Sequence, residues 1–279
     1  MGITQNIYSK APVWLQHAMV SAYGYGWRQR RFGGIFKQEY KKAKERESFS
    51  KEQWAHYTEE QLQKIVMHAY RHVPFYRRNF IANGITENAI KNISCKNIQL
   101  LPLLSKEALR QFGKTELLSK AREKKGAFFS SSGSSGTPVE ILYSPAMHQR
   151  WFALYERSVR NWAGVSSFIP RAMIGGRKII PMAQDGPPYY RYNYFEKQLY
   201  LSAYHINEKN AGNYAKGILK YGAAYMTGYA MSNFFLADIL YAQKVQMPEM
   251  KAILTSSEKL TAEMRNTFTK VYGCKTYDS

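Results

Sequence analysis

The chain has 279 residues, of which 45% are hydrophobic and 22% are charged, so it can form a packed core and is not an intrinsically disordered protein. Its 40 Lys and Arg residues outnumber its 20 Asp and Glu residues, and the resulting charge of +20 favours anionic partners without selecting one. The isolated Cys95 and Cys274 exclude a disulfide framework and predict a cytoplasmic location, and no apolar run is long enough to predict a transmembrane helix.

Residues 1–100 are predicted to form a helical N-terminal region. Within it, Glu59–Arg71 places apolar residues on one helical stripe, and Val73-Pro74 ends that helix. Val13–Trp27 is aromatic and loosely amphipathic, which fits a packed helix or a peripheral membrane contact. The basic clusters at Arg28–Arg31 and Lys37–Arg46 fit either solvated helix faces or the binding of a polyanion or an anionic membrane surface.

Residues 101–279 are predicted to form an α/β domain in which short strands alternate with helices. Such repeated units imply a largely parallel sheet with helices on both faces, whose ligands bind beyond the carboxyl ends of the strands, near Ser131, Gly228 and Ser256. One helix should run from Ser144-Pro145 to Gly164 with Trp151 and Trp162 facing inward, and Ala183–Phe195 should be a loop. The predicted strands are Ala127–Phe129, Val139–Tyr143, Ala172–Ile174, Leu199–Ala203, Ala224–Thr227 and Ala252–Thr255.

The segment Ser130–Pro138, with the sequence SSSGSSGTP, has the composition of a phosphate-binding loop. Gly133 and Gly136 permit positive φ angles, so that successive backbone N–H groups can turn toward one anion, and the hydroxyl groups add further donors. No Lys follows the second glycine, so the segment is not a Walker P-loop. A flexible linker has the same composition, but the strand-like flanks favour a loop between two strands of one sheet.

The segment Ser131–Pro138 resembles the serine/threonine-glycine loop of the adenylate-forming acyl-CoA ligase superfamily. More narrowly, the chain resembles the phenylacetate-CoA ligases and their CapK-type branch of capsular polysaccharide biosynthesis proteins, although Ser135 replaces the usual Thr. The further segments that carry this resemblance are Leu62–Val66, His72–Arg77, Leu101–Lys106, Leu201–His205, Gly228–Ala230 and Thr255–Glu258.

This resemblance implies an ATP-dependent ligase that uses Mg²⁺ to activate a carboxylic acid and then transfers the acyl group to CoA or another acceptor. The cellular role that it implies lies in capsule or other cell-surface polysaccharide synthesis, or in aromatic acid metabolism. The residues expected to bind the ATP phosphates are Ser131, Ser132, Gly133, Ser134, Ser135, Gly136 and Thr137. The residues expected around the nucleotide and acyl group are Tyr229, Ser256, Ser257, Glu258 and His205. Packing is the alternative role for Tyr229, and a cap on the helix at Thr261 is the alternative for Glu258.

The resemblance also implies that the chain is the N-terminal part of such an enzyme. Lys275–Ser279 aligns with the strand that leads into the family's Tyr-Gly-x-Ser/Thr-Glu motif, so the magnesium ligand, the catalytic lysine and the C-terminal domain are expected beyond Ser279. Adenylation by these 279 residues alone is therefore expected to be undetectable. The alternative function is a non-catalytic basic scaffold for polyanions or a membrane surface. No nucleic-acid-binding motif accompanies the charge, and nucleic acid is not an expected partner.

Overall fold

A computed structural model describes residues 3–131 and 137–279, which divide into two compact units. Unit 1 comprises residues 1–33 and 152–279, and unit 2 comprises residues 34–151. Unit 1 begins with helices α1 (Ile3–Lys10) and α2 (Val13–Phe32).

Unit 2 begins with a series of helices whose ends follow from local sequence. Ser50 and Gln53 form a capping box at the start of the longest helix, and Pro74 both ends that helix and begins the next one. Val66, Phe80 and Ile90 form the core beneath them. The helices are α3 (Phe36–Glu45), α4 (Lys51–His72), α5 (Pro74–Ala82), α6 (Glu87–Lys91) and α7 (Lys106–Phe112), with 3₁₀ turns at Arg46–Ser48 and Ile98–Leu100.

Unit 2 also contains a two-stranded antiparallel sheet made of β1 (Ala127–Ser130) and β2 (Glu140–Tyr143). The Ser/Gly segment connects these two strands, as its flanks predict. The loop near Ser131 was placed at the edge of the parallel sheet by the sequence pattern, and that placement is wrong, because the two strands pair only with each other.

Helix α8 (Pro145–Tyr155) starts at the predicted position and continues as a π-helical turn over Glu156–Asn161. The prediction that Trp151 and Trp162 face inward is wrong, since both are exposed. The inward positions are occupied instead by Glu156 and Arg160. Glu156 accepts hydrogen bonds from the backbone N–H and hydroxyl groups of Ser167 and from Arg160, so a polar network takes the buried face.

Unit 1 is organised around a six-stranded sheet in the order β4-β5-β3-β6-β7-β8. Strands β5, β3, β6, β7 and β8 are parallel, and β4 pairs antiparallel with β5 at one edge. The elements are β3 (Arg171–Gly175), β4 (Tyr190–Asn193), β5 (Gln198–Ser202), α9 (Ala211–Lys220), β6 (Tyr225–Tyr229), α10 (Ala230–Ala242), β7 (Ala252–Ser256), α11 (Ala262–Tyr272) and β8 (Thr276–Asp278).

Both faces of this sheet are covered, as predicted. Ile253 of β7 packs in a large cluster with residues of α9, α10 and α11, such as Ile218, Leu240 and Phe268. Its neighbour Leu254 points the other way and packs with Val165 and other residues that follow the π-helical turn. The prediction of an α/β fold with a largely parallel sheet is therefore confirmed.

Strand β4 lies inside the segment Ala183–Phe195 that was predicted to be a loop, and that prediction is wrong. All four residues of the strand are buried, so the alternation that marks a half-exposed strand is missing. Helix α2 contributes to this burial by packing along the outer edge of β4, and Tyr190 and Tyr192 also pack in the large cluster that contains residues of α9. Ser21 of α2 accepts from the backbone N–H of Tyr194 at 3.1 Å, and His17 Nδ1 accepts from that of Tyr192 at 2.8 Å.

None of the helices in residues 3–131 and 137–279 is both long enough and apolar enough to cross a lipid bilayer.

Candidate functional site

The carboxyl ends of the parallel strands of unit 1 meet along one edge of the sheet, and strand register fixes which residues are neighbours there. Tyr229 at the end of β6 lies opposite Ser256 at the end of β7. Ser202 at the end of β5 lies opposite Gly175 at the end of β3. The structure thus brings together Tyr229 and Ser256, which the sequence predicted from two separate motifs.

Gly228 allows β6 to approach β3 closely at this edge. Its φ angle is +128°, which residues with a side chain rarely adopt, and a Cβ atom there would lie 1.8 Å from the carbonyl oxygen of Ile174. A glycine is therefore required one residue before Tyr229, and it sets the position from which the Tyr229 side chain departs.

Tyr229 lies against the loop that follows β3. A Cβ atom on Gly176 would be 3.0 Å from the Tyr229 hydroxyl, so the absence of a side chain at Gly176 makes room for the phenol. Tyr204 donates its hydroxyl to the carbonyl oxygen of Gly176 at 3.0 Å, and Lys178 Nζ lies 6.0 Å from the centroid of the Tyr204 ring. Two tyrosines and a lysine therefore surround the end of β3. Sequence reasoning missed Gly176, Tyr204 and Lys178, although Gly175-Gly176 directly after a buried strand was an available signal.

The turn after β7 contains the predicted residues Ser256, Ser257 and Glu258. Ser257 has a φ angle of +70°, a left-handed conformation that is uncommon for serine and turns the chain sharply after the strand. Glu258 then reaches α10, where one of its carboxylate oxygens accepts from the backbone N–H of Met231 at 2.7 Å. The carboxylate thus satisfies a free N–H group at the positive end of α10.

The expectation that Glu258 caps the helix at Thr261 is wrong. The Thr261 hydroxyl caps its own helix by accepting from the backbone N–H of Met264 at 3.2 Å. Helix α10 has no acidic residue in its first turn and no capping side chain at Tyr229, so the carboxylate of Glu258 serves there. Contact between Glu258 and a nucleotide stays a prediction.

His205 is held close to the same edge through Ser202. The Ser202 hydroxyl and His205 Nδ1 are 2.7 Å apart, and the imidazole stacks on Tyr189 with ring centroids 5.0 Å apart. Among the described residues, His205 Nε2 has no hydrogen-bond partner although it is buried. The imidazole is therefore fixed by its neighbours on one side and has an unused polar atom on the other.

In unit 2, the predicted phosphate loop is described only at its two ends, because Ser132, Gly133, Ser134, Ser135 and Gly136 lie outside the described residues. Ser131 closes the hairpin, since its backbone N–H donates to the carbonyl oxygen of Val139 at 2.8 Å and its hydroxyl accepts from the backbone N–H of Val139 at 2.9 Å. The Ser131 hydroxyl keeps its own proton to donate.

The exit of the loop is held by Arg110 of α7, which sequence reasoning missed. Its guanidinium donates two hydrogen bonds to the carbonyl oxygen of Thr137, at 2.9 and 3.2 Å, while Glu107 lies 3.1 Å from the same group. The Thr137 side chain is exposed. A fixed cation thus lies next to the loop and raises the local positive potential.

Residues 3–131 and 137–279 contain no group of three or more His, Cys, Asp or Glu side chains placed to hold a metal ion. Mg²⁺ often needs only one or two carboxylates besides substrate phosphates. At the described sheet edge, however, the Glu258 carboxylate is already engaged by α10. The described residues at this edge therefore do not make a magnesium site.

Comparison with curated proteins gives two kinds of relative. The chain is 24% identical to Protein CapK of Staphylococcus aureus over 269 residues, which cover 96% of this chain and 58% of CapK. It is 30% identical to the phenylacetate-coenzyme A ligase of Aromatoleum evansii over 105 residues, which cover 38% of this chain and 23% of that enzyme. No family model matches the chain.

The predicted resemblance to CapK and the phenylacetate-CoA ligases is confirmed by these sequence similarities.

The fold agrees with that resemblance. The solved structure of 2-hydroxyisobutyryl-CoA ligase in complex with 2-HIB-AMP and CoA superimposes on 83% of this chain with a TM-score of 0.54 and 14% sequence identity, and the match covers 49% of the ligase. The adenylate-forming fold that the sequence predicted is therefore confirmed. The chain spans about half the length of the proteins that it matches, since it covers 58% of CapK and 49% of the solved ligase.

Proposed function

We propose that this chain is the nucleotide- and acyl-binding part of an ATP-dependent ligase that activates a carboxylic acid as an acyl-adenylate. The observation that carries the proposal is the register that sets Tyr229 beside Ser256 at the carboxyl edge of the sheet, immediately before the Ser257-Glu258 turn. Ligands of open α/β sheets bind at this edge. The sequence similarity to CapK and phenylacetate-CoA ligase, together with the acyl-adenylate and CoA bound by the structurally similar ligase, supports the same reaction class.

The proposed reaction has two steps. A carboxylate oxygen of the substrate attacks the α-phosphorus of ATP, which forms an acyl-adenylate and releases pyrophosphate. The acceptor, a CoA thiol or another nucleophile, then attacks the acyl carbon, forms the new acyl bond and releases AMP and a proton. Most of the catalytic work in such transfers is positioning and the neutralisation of developing charge, so the residues that matter are donors and cations rather than a strong base.

Each part of the chain has a specific role in this proposal. The backbone N–H groups and hydroxyls of residues 131–137 bind the triphosphate, and Arg110 fixes the exit of that loop. Tyr229 and the turn at Ser256–Glu258 form a wall for the nucleotide and the acyl group. Magnesium, if the enzyme uses it, supplies further charge neutralisation when bound.

The cellular role that we propose follows the relatives. Synthesis of a capsule or other cell-surface polysaccharide fits the CapK similarity, and aromatic acid metabolism fits the phenylacetate-CoA ligase similarity. We favour the first, because the similarity to CapK extends over 96% of the chain.

The experiment that tests the proposal is the binding of ATP and AMP to this chain by isothermal titration calorimetry. Changing Ser132, Ser134 and Ser135 together to Ala should weaken ATP binding by at least about tenfold and AMP binding by much less, because the lost donors serve the phosphates beyond the first. The matched control changes the exposed Ser9 and Ser48 to Ala, neither of which lies near the loop in sequence.

Two results would contradict the proposal. One is the absence of any nucleotide binding by the unmodified chain, and the other is equal loss in the triple variant and the control. Binding to anionic polymers with a steep salt dependence but without a nucleotide effect would instead favour a basic scaffold.

A further inference from the structure

Helix α2 buries polar and small residues and leaves several aromatic residues exposed. The residues that it buries are Gln16, Ser21 and Gly24, whereas Trp14 is 69% exposed. A helix on a globular protein normally buries its apolar side. The buried polar residues of α2 have an explanation, because β4 is an edge strand whose backbone groups need polar partners. The exposed aromatic residues are not explained in this way.

The buried contacts of α2 are specific and sufficient to hold it. His17 and Ser21 accept from the backbone N–H groups of Tyr192 and Tyr194, and Gln16 accepts from Arg191 Nε at 2.6 Å. None of these contacts involves the exposed aromatic side chains. The hydrogen bonds that hold the helix therefore do not explain why aromatic residues such as Trp14 are exposed on its outer side.

The outer side of α2 and the turn after β4 form what we call the α2 aromatic surface, made of Trp14, Tyr25, Tyr194 and Phe195. Trp14 and Tyr25 are eleven residues apart, which places them on one side of a helix with the small Ala18 and Ala22 between them. The rings of Tyr25 and Phe195 pack with their centroids 5.1 Å apart, and Tyr194 is 61% exposed. Trp14, Tyr194 and Phe195 also line a shallow groove of about 740 Å³ that has Lys220 at its border.

The charge around this surface is of one sign. Residues 1–33 contain Lys10, Arg28, Arg30 and Arg31 and no Asp or Glu. Glu196 of the β4–β5 turn is buried and paired with Arg31 at 2.7 Å, so these two charges offset each other and leave the other cations uncompensated by this turn. Lys197 and Lys220 are exposed beside the same turn and groove.

We infer that the α2 aromatic surface docks on an anionic phospholipid bilayer. Tryptophan and tyrosine have apolar rings and a polar atom, and they favour the headgroup region of a bilayer. Lysine and arginine next to them gain from the negative surface potential of anionic lipids, by about 1 kcal/mol each. A helix that lies in the interface in this way needs no transmembrane span. The site is separate from the sheet edge, and this inference does not depend on the proposed ligase activity.

The test is flotation of the whole chain with vesicles of phosphatidylcholine alone and of phosphatidylcholine mixed with phosphatidylglycerol. Binding is expected only to the mixed vesicles, and it should weaken as salt is added. Trp14→Ser combined with Tyr25→Ser should weaken binding by at least about fivefold, because binding strength scales with the apolar area inserted. The control is Trp162→Ser, which removes a tryptophan of unit 1 that is equally exposed, at 71%.

A second pair of variants separates charge from aromatic contact. Lys197→Gln with Lys220→Gln should also weaken binding at low salt by about tenfold or more. Lys251→Gln with Lys275→Gln removes two exposed lysines that line a different cavity of unit 1 and should leave binding within about twofold of the original. Far-UV circular dichroism and thermal unfolding confirm that each variant is folded.

Three outcomes would overturn the inference. The first is that the unmodified chain fails to float with the phosphatidylglycerol vesicles at low salt. The second is that Trp162→Ser weakens flotation as much as the Trp14 and Tyr25 changes do. The third is that those two changes abolish a concentration-dependent self-association in sedimentation velocity and leave flotation unchanged, because the surface would then accept a second copy of the chain.

Discussion

The sheet edge of unit 1 and the Ser/Gly hairpin of unit 2 hold candidate ligand-binding residues in different ways. At the sheet edge, five parallel strands fix the spacing of Ser202, Gly175, Tyr229 and Ser256 through continuous backbone pairing. In the hairpin, the described ends of the loop are held at Ser131 by its pairing with Val139 and at Thr137 by Arg110 of α7. The edge is thus held by continuous strand pairing, and the described ends of the loop are held by individual hydrogen bonds.

The two kinds of support suit two different tasks of a nucleotide-binding site, which are recognition of the base and acyl group and binding of the phosphates. A wall that recognises a nucleotide base and an acyl group gains from a rigid position, which the sheet supplies. A loop that follows phosphates gains from backbone that is held at its ends and rich in donors. Changes at the sheet edge should therefore affect the stability of unit 1, whereas changes at the hairpin should have local effects.

Gly228→Ala should have the largest effect and tests the rigidity of the edge most directly. The new methyl group would meet the Ile174 carbonyl oxygen at 1.8 Å, and the φ angle of +128° is strained for alanine. We expect unit 1 to lose about 3 kcal/mol or more of its free energy of unfolding, measured by urea titration followed by circular dichroism. Gly212→Ala is the control, because a Cβ atom at Gly212 meets nothing within 4 Å. A tolerated Gly228→Ala would show that the edge is less constrained than its register implies.

Glu258→Ala should have an intermediate effect, since it leaves the Met231 N–H at the start of α10 without its acceptor. We expect a loss of about 1.5 kcal/mol in the same urea titration, and Glu258→Gln should recover much of it through the amide oxygen. The control is Glu263→Ala, which removes an acidic residue from the first turn of α11 in the same unit. Equal losses for Glu258→Ala and Glu263→Ala would argue against a special role for the Glu258 cap.

Ser131→Ala should have a smaller and local effect in the hairpin. Its hydroxyl accepts from the Val139 backbone N–H, so the exchange of that amide should become about fivefold faster in hydrogen–deuterium exchange followed by NMR. Amides of unit 1 should not change. Ser131→Thr keeps the hydroxyl and should restore most of the protection. If amides of unit 1 changed as much as that of Val139, the role of the Ser131 hydroxyl would not be local to the hairpin.

The smallest effect is expected from the pH dependence of His17. Burial lowers the pKa of His17 below its usual value, and the positive charges of Arg191 and Lys220 lower it further, so the neutral imidazole is favoured in the folded chain. The unfolded chain therefore binds the proton more readily, and stability should fall as the pH drops below about 6.5 toward the folded-state pKa. His17→Asn keeps an acceptor without the titration and should flatten this part of the curve in urea titrations. The exposed His56→Asn is the control, and an unchanged slope for His17→Asn would contradict the assignment.

The sequence predicted the parallel sheet well because each strand is a short apolar run bounded by a helix signal. Ala252–Thr255 and Ala224–Thr227 lie within or one residue outside β7 and β6, and the residues that follow them reach the same edge for a simple topological reason. The resemblance to a known family then predicted that Tyr229 and the Ser256–Glu258 turn lie near the nucleotide and the acyl group. The strand predictions depend on the local pattern of apolar residues, which a single sequence displays.

The failures concern partners that are distant in the chain. Strand β4 was missed because α2, more than 170 residues earlier, buries its outer edge and removes the alternation. The clamp of Arg110 on Thr137 and the cap of Glu258 on α10 likewise join residues 27 positions apart. Neither contact leaves a local pattern, since an arginine on a short helix and a glutamate in a turn have many possible partners.

The coverage of β4 by α2 has a consequence for self-assembly. An uncovered edge strand is a template on which another chain can add a strand of its own. Strand β4 would be a favourable template, because it contains two tyrosines and is flanked by Tyr189 on one side and by Tyr194 and Phe195 on the other. Helix α2 prevents this because its His17 and Ser21 side chains accept hydrogen bonds from backbone N–H groups that would otherwise pair with the carbonyl groups of a seventh strand. A shortened chain that begins after Phe32 should therefore form fibrillar or amorphous aggregates through β4. Helix α2 would thus protect the chain from aggregation.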